Sequence, residues 1–334
     1  MPADAAGRFA VRRFQRGDET AILDLFARSF HSTQTPEQWR WKYEDDPYGA
    51  EHISVAFDAN DSLVGHYAGY PVAFVRDGRD VLAHQIGDTM TDRSVRHIGR
   101  GPTSILGRTA LHFYETFCEG RIAFNYGFNV DNIQRFSLRF LRSTRVESVA
   151  YRLRDLQKDP LRGLSRLERY ARGIGFQLVR ETSVEWDELF ARVSRHYGFL
   201  VRRDARYVSW RYFARPGAPY IVVAMRKWHR LAGWLVFRLR DDRITIGDLL
   251  LDPDHAEVFG AALRHLVTQF PAAAIEMWCP PRPRWMAELI DSLRFERHRE
   301  PQDLGVMCVP FVDGEAPARI AESLYYTMGD GDLF

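Results

Sequence analysis

The sequence predicts a mixed α/β protein in which one fold is used twice. Three observations carry this reading. Helix and strand patterns alternate through the first 155 residues around a meander of long strands. Short motifs from that half recur in the second half in the same order. The length, 334 residues, is enough for two average domains. Composition excludes several classes of protein. With 46% hydrophobic and 27% charged residues the chain is ordinary globular material and not disordered. Its 46 basic and 44 acidic residues leave a net charge of +2, which gives no global pull toward nucleic acid or a membrane surface. Neither is expected as a partner. Cys118, Cys279 and Cys308 stand far apart, without CxxC spacing, so no disulfide framework and no metal are expected. The first seven residues lack the apolar core of a secretory signal, and apolar runs such as 231–237 are only strand-length. A cytoplasmic protein is the expectation.

The elements follow in order. Residues 9–13 read as a short strand, and 19–30 as a helix with Ile22, Leu23, Leu25 and Phe26 on its apolar side and Asp18 placed to cap it. A helix over 35–43 carries Pro36 in its first turn. Strands over 53–58, 63–75 and 81–91 form the meander, with Asp77-Gly78 as a hairpin turn. A helix over 103–118, a strand over 122–128, a helix over 132–141 and a closing strand over 147–153 complete a first domain of residues 1–155. An arginine- and leucine-rich amphipathic connector spans 156–174; a second domain covers 175–313 and a tail 314–334.

The repeat supports that division. Trp41-Lys42-Tyr43, followed by Pro47, returns as Trp210-Arg211-Tyr212, followed by Pro216. Strand residues Ser54–Phe57 return as Val222–Met225, and Gly65 as Gly233. Ile86-Gly87-Asp88 returns as Ile246-Gly247-Asp248, and Asp92 as Asp252. One short match would mean little; the shared order indicates duplication.

Chemistry concentrates after the strand that ends at Thr91. Arg96-His97-Ile98-Gly99-Arg100-Gly101 has the form R-x-x-G-x-G at a strand-to-helix junction. Two glycines let the backbone approach a ligand without a Cβ. Free amides and a helix N-terminus favour an anion, and Pro102 suits a first helical turn. Arg96, His97 and Arg100 add positive charge for phosphates. The bare pattern is a weak signal in a chain this rich in arginine and glycine; its place between a meander strand and an amphipathic helix gives it weight.

The strand–RxxGxG–helix unit, with helices and a meander before it and strand–helix–strand after it, resembles the GNAT N-acetyltransferase superfamily over residues 9–153. That resemblance implies two tandem GNAT folds and acetyl-CoA, or another acyl-CoA, as co-substrate. It implies a strand that splays from its neighbour so that the backbone at Thr89, Met90 and Thr91 pairs with the pantetheine arm. It places the pyrophosphate on the amides from His97 to Gly101, with Thr103 just inside the helix, and matches a family asparagine with Asn132 or Asn129. In the second copy Ala256, Phe259 and Ala261 stand where Arg96, Gly99 and Gly101 do, so that copy resembles the fold with its loop lost and Phe259 in the phosphate path. The whole is similar to tandem-GNAT proteins of the enhanced-intracellular-survival type, without their third, sterol-carrier-like domain.

Acyl transfer to an amine needs a neutral nucleophile, a donor for the developing oxyanion and a proton for the thiolate. The family's glutamate position holds Gln85, which cannot take a proton; His84 and Asp88 flank it. Asp88 recurs as Asp248 in the copy without a loop, which weighs toward a structural role. Phe136 stands where the family's acidic tyrosine is found, leaving Tyr126 as the nearest hydroxyl, with core packing as its other reading. In the resembling tandem proteins a chain terminus can act as base, which brings in the α-carboxylate of Phe334. Glu44-Asp45-Asp46 has no counterpart in the second half and lies where the family lines its acceptor pocket, so it is expected to attract a cationic amine of a small molecule or sugar. Direct acyl transfer is expected; a FemAB-like aminoacyltransferase and a silent GNAT-fold scaffold are the rivals.

Overall fold

The computed structural model of the protein describes residues 9–312 and 316–334, so the first seven residues, read for a secretion signal, lie outside it. Strand β1 (Phe9–Arg13) leads into α1 (Glu19–Phe30), which buries Ile22 and Leu25. Asp18 precedes this helix without capping it: its carboxylate is held by Arg12 at 2.7 and 2.8 Å and accepts from the Gln15 amide instead. An ion pair in bidentate geometry outcompetes a single cap bond. Helix α2 (Pro36–Tyr43) opens on a capping box between Thr35 and Gln38. The meander is β2 (Ile53–Asp58), β3 (Leu63–Arg76) and β4 (Arg79–Thr91), the last two joined at Asp77 and Gly78, both with positive φ as a tight hairpin requires. Helix α3 (Ile105–Phe113) runs on into a π turn, and β5 (Phe124–Asn129), α4 (Asp131–Phe140) and β6 (Thr144–Ser148) follow.

The single closing strand expected over 147–153 is in fact two. After β6 the chain passes Val149 and Ala150 and enters β7 (Tyr151–Asp155), which pairs in a different sheet. The connector forms only a short helix, α5 (Arg166–Ala171), with Leu167 and Tyr170 exposed, so no long packing helix is present there. The second half continues with β8 (Ile174–Val179), α6 (Val184–Val193), β9 (Phe199–Val201), α7 (Ala205–Val208), β10 (Ile221–Lys227), β11 (Arg230–Arg240) and β12 (Arg243–Leu251). It ends with α8 (Glu257–Gln269), β13 (Ala274–Trp278), α9 (Arg284–Ser292), β14 (Glu296–His298), β15 (Gly305–Pro310) and α10 (Pro317–Ser323).

Two compact units result, each assembled from three stretches of chain. The first takes the described parts of Met1–Ala73, Val81–Ser148 and Leu304–Ala321; the second takes Phe74–Asp80, Val149–Asp303 and Glu322–Phe334. The first sheet runs β1-β2-β3-β4-β5-β15-β6, with β9 hydrogen-bonded to the Phe74–Arg76 end of β3. The second runs β8-β10-β11-β12-β13-β7-β14. Read position by position the two orders agree, including the one parallel pair, β4 with β5 and β12 with β13. In each, the sixth place is filled by a strand from the other half of the sequence. The domain limits expected from sequence, 1–155 and 175–313, therefore cut across both sheets.

The repeated motifs occupy matching places. Gly65 and Gly233 each face the last residue before a β-bulge in the neighbouring strand, Ala56 and Met225 respectively. The true counterpart of Ala56 is thus Met225, one residue beyond the sequence match. Asp92 and Asp252 each cap a short 3₁₀ turn, accepting from the amides of Ser94 and Asp254. Tyr43 and Tyr212 donate to Asp88 and Asp248 at 2.7 and 2.6 Å.

Candidate functional site

The glycine-rich loop is built as a run of turns. Arg93–Val95 and Gly101–Thr103 are 3₁₀ turns, and α3 begins only at Ile105, with the Ser104 hydroxyl accepting from the Gly107 amide. Thr103 therefore lies before the helix, and its hydroxyl is engaged with the Arg100 amide and carbonyl. Gly99 and Gly101 adopt φ of 70° and 54°. A Cβ on Gly99 would stand 2.3 Å from the Thr103 carbonyl oxygen, and one on Gly101 would stand 2.7 Å from the Phe140 ring. Only glycine fits either place.

This loop borders a cleft of about 570 Å³ in the first unit. Seven of the residues singled out from sequence line it: Thr89, Thr91, Arg96, Gly99, Arg100, Gly101 and Asn132. Ser104, Ile105, Leu106, Ile133, Phe136 and Phe140 complete the wall. Phe136 stands out in the sequence only for lacking a hydroxyl; Ile105, Leu106, Ile133 and Phe140 were missed because apolar helix positions read as core, and α4 turns part of its apolar face to the cleft. Strand alternation explains Thr89 and Thr91, with Met90 pointing the other way into the core beside Trp39 and Tyr43. His97 is exposed, and Ile98 packs with the cluster around Phe9, Ala56, Val64 and Ile105. Neither side chain lines the cleft.

The cleft has unused polar capacity. Thr91 Oγ1 is buried without a partner, and among the described residues the Gly99 and Gly101 amides meet no acceptor. Arg96 holds the Thr91 carbonyl through Nε at 3.1 Å, and neither Arg96 nor Arg100 has an acidic partner among the described residues. Phosphate groups and a pantetheine amide fit these donors and the space a Cβ would fill.

Strands β4 and β5 pair only from Ala83 with Phe124 to Gln85 with Tyr126. Beyond Ile86 and Gly127 they part, leaving strand backbone open on both sides. Asp88 sits in this stretch with φ of 49°. Its carboxylate accepts from Lys42 Nζ at 2.8 Å and Tyr43 Oη at 2.7 Å, and its carbonyl accepts from His66 Nδ1 at 2.8 Å. Burial would raise the Asp88 carboxyl; the Lys42 ammonium and the two hydrogen bonds outweigh burial and hold it below its ordinary value. Such a group stays ionised and is a weak base.

His84 is fully buried, and burial together with the nearby His52 ring lowers it to about 3. His52 falls to about 4, again chiefly by burial. His84 Nε2 lies 2.7 Å from His52 Nδ1, and its Nδ1 lies 3.2 Å from Asn125 Oδ1. The expected role of His84 as base is corrected here: its ring is buried away from the cleft, its Nδ1 is bonded to Asn125, and at neutral pH it has too little affinity to take a further proton. Tyr126 is buried between Phe124 and Phe128; it does not line the cleft and instead borders a small chamber where β4 and β5 part. Of the acidic cluster, Glu44 pairs with Arg40 at 3.5 Å, Asp46 accepts from the Tyr48 amide at 2.7 Å, and Asp45 is exposed; none lines the cleft. Phe334 belongs to the second unit. Its carbonyl-end oxygen accepts from Arg215 at 2.7 Å and Tyr220 at 2.8 Å, and its ring stacks on Tyr220 beside Gly247.

The second unit has no comparable loop. After Asp252 a 3₁₀ turn, Pro253–His255, passes straight into α8. Phe259, expected in the phosphate path, is inside that helix and fully buried in the core. Asp248 here meets a buried arginine, Arg203, at 2.8 Å, which also holds Asp330 at 2.6 Å. Among the described residues no helix is long and apolar enough to cross a membrane, and no cluster of three or more His, Cys, Asp or Glu could hold a metal ion.

Comparison with known proteins agrees with this geometry. Residues 10–138 match the family described as the acetyltransferase (GNAT) domain. No curated protein sequence matches the chain. Among solved structures, a GCN5-related N-acetyltransferase from Kribbella flavida is 14% identical with a TM-score of 0.63, covering 92% of this chain and 72% of its own. A probable N-acyltransferase from Enterococcus faecalis is 12% identical with a TM-score of 0.63, over 90% and 71% of the two chains. The N-myristoyltransferase of Saccharomyces cerevisiae, solved with bound myristoyl-CoA, is 11% identical with a TM-score of 0.55, over 93% and 80%. Residues 10–138 thus match the acetyltransferase (GNAT) domain, in a chain whose two mixed sheets have the GNAT fold.

Proposed function

We propose that this protein is an acyl-CoA-dependent N-acyltransferase that transfers an acetyl or related acyl group to a primary amine of a small molecule or sugar. The first unit carries the activity, and the second is a copy that has lost its cofactor loop. The observation that carries the reading is the cleft whose donors are unspent: Gly99 and Gly101 with positive φ, Arg96 and Arg100 without acidic partners, and the orphaned Thr91 hydroxyl. An acyl-CoA supplies an acyl group already activated as a thioester. Arg96, Arg100 and the loop amides would hold its phosphates, and the unpaired edge of β4 at Thr89–Thr91 its pantetheine arm. Asn132 stands at the cleft wall and accepts from Arg135 at 2.7 Å.

Asp88, clamped by Lys42 and Tyr43, fixes the turn of β4 and does not take the amine proton. Much of the rate therefore rests on orientation, for which effective molarities are large. The tandem arrangement supports kinship with the enhanced-intracellular-survival type, and use of acyl-CoA supports a cytoplasmic setting. The phosphate loop speaks against a FemAB-like aminoacyl-tRNA enzyme, which has no CoA phosphates to bind. A second reading, binding without turnover, is favoured by Gln85, the buried His84 and Phe136 at the places of base and acid. Calorimetry with acetyl-CoA followed by turnover on a panel of primary amines tests both. Acetyl-CoA binding with turnover supports the enzyme, binding without turnover supports the second reading, and absence of binding at micromolar concentration rejects both.

A further inference from the structure

Where β4 and β5 part, the first unit has a small, half-open chamber of about 20 Å³, room for one water-sized group. Ile86, Gly127, Asn125, Tyr67 and Tyr114 are among its walls. Asn125 is 1% exposed, and its two polar atoms have opposite fates. Oδ1 accepts from His84 Nδ1 at 3.2 Å and from Cys118 Sγ at 3.4 Å. Nδ2 is buried with no partner at all.

The orientation of this amide is fixed from behind. His84 is neutral, so with Nδ1 donating to Asn125 its Nε2 must accept, and His52 Nδ1 donates to it at 2.7 Å. His52 is in turn stacked on Phe117, 4.9 Å away at 24°. Two neutral imidazoles thus lock one face of the Asn125 amide and leave its N–H groups toward the chamber. Leaving a buried donor unmade costs free energy unless a ligand oxygen completes it.

We propose that Asn125 Nδ2 donates to the acyl carbonyl oxygen of the bound thioester, with His84 and His52 as its positioning residues. This rests on the reading that the acyl-CoA lies along the open edge of β4, because only then does the acyl end reach the point where the strands part. Gly127 is the neighbouring wall, where any side chain would crowd Asn129 and the Ile86 carbonyl. The donor sits where negative charge develops on the oxygen during attack, which gives it a larger effect on turnover than on binding.

The test is a binding cycle by calorimetry on the full chain, using acetyl-CoA, S-ethyl-CoA, which lacks the carbonyl oxygen, and CoA itself. The expected result is a preference of roughly tenfold for acetyl-CoA over S-ethyl-CoA in the wild type, lost in Asn125→Ala and in the isosteric Asn125→Asp, with CoA binding unchanged. A merely structural asparagine, or one that only holds a buried water, leaves the acetyl-to-ethyl ratio the same in wild type and variants and overturns the proposal. A wild-type ratio near one overturns it with no variant needed. Should both variants fail to fold, the carbonyl stretch of ¹³C-labelled acetyl-CoA on the wild type decides: a frequency below that of the free thioester supports the donor, and an unshifted one refutes it. Failure of all three ligands to bind instead rejects the acyl-CoA reading beneath it.

Discussion

Asp88 shows what a single residue does here and how far the sequence discloses it. Its recurrence as Asp248 within Ile-Gly-Asp is plain in the sequence, and so is the recurrence of the tyrosine at 43 and 212. That the tyrosine grips the aspartate is not legible, because the pair is 45 residues apart and nothing local joins them. The difference between the copies is also hidden: Lys42 neutralises Asp88, whereas Asp248 is met by Arg203, and Arg211, the sequence match of Lys42, donates to the Gly329 and Gly331 carbonyls. Removing one partner of a buried ion pair strands the other. Lys42→Met should therefore destabilise the first unit by on the order of 3–5 kcal/mol, read by denaturant unfolding; a loss below about 1 kcal/mol would show that Asp88 is satisfied without it.

Histidine burial gives a second prediction at this scale. His52 and His66 are lowered to about 4 and His84 to about 3, all chiefly by burial, from an ordinary value of 6.5. The unfolded chain then binds more protons than the folded one below pH 6.5. Stability is fully present above that pH and falls as pH drops from 6.5 toward 4. Thermal melts at pH 7.5 and pH 5 should differ accordingly, with the lower midpoint at pH 5. Equal midpoints would contradict the buried neutral imidazoles.

At the scale of elements, helices and strands of the first half were legible because each is dictated by local pattern. The period of 3.6 over 19–30, Pro36 in the first turn of the next helix and the Asp-Gly hairpin all fall where the structure has them, whereas the cap expected of Asp18 does not form. What local pattern cannot contain is which sheet a strand joins. Residues 147–153 read as one closing strand, yet they are split between β6, which pairs with β15, and β7, which pairs with β13. The cofactor loop was found from its glycines, but the apolar wall from α4 was not, since Phe136 and Phe140 have the periodicity of any core face. The strand exchange carries its own prediction. A fragment of residues 1–155 lacks β15, the strand between β5 and β6, and exposes β7 without partners. It should fail to show a cooperative unfolding transition by circular dichroism, whereas the full chain shows one; a cooperative, monomeric fragment would contradict the observed topology.

In the whole molecule two sheets share one strand order, and we propose that only the first unit keeps a cofactor loop. Gly99 and Gly101 hold the loop open in the first unit, and in the second the chain goes directly from Asp252 through one turn into α8. Net charge conceals this asymmetry, because the +2 of the whole chain averages over a local cluster of Arg96, His97 and Arg100. The claim is tested most directly by calorimetric titration of acetyl-CoA into three proteins: the wild type, Gly99→Trp, and Ala256→Trp, which alters the turn of the second unit at the place matching Arg96. The account predicts one site per chain with micromolar affinity, lost in Gly99→Trp because the new side chain meets the Thr103 backbone and fills the cleft, and retained in Ala256→Trp. Two sites per chain, no binding by the wild type, or equal loss in both variants would contradict it.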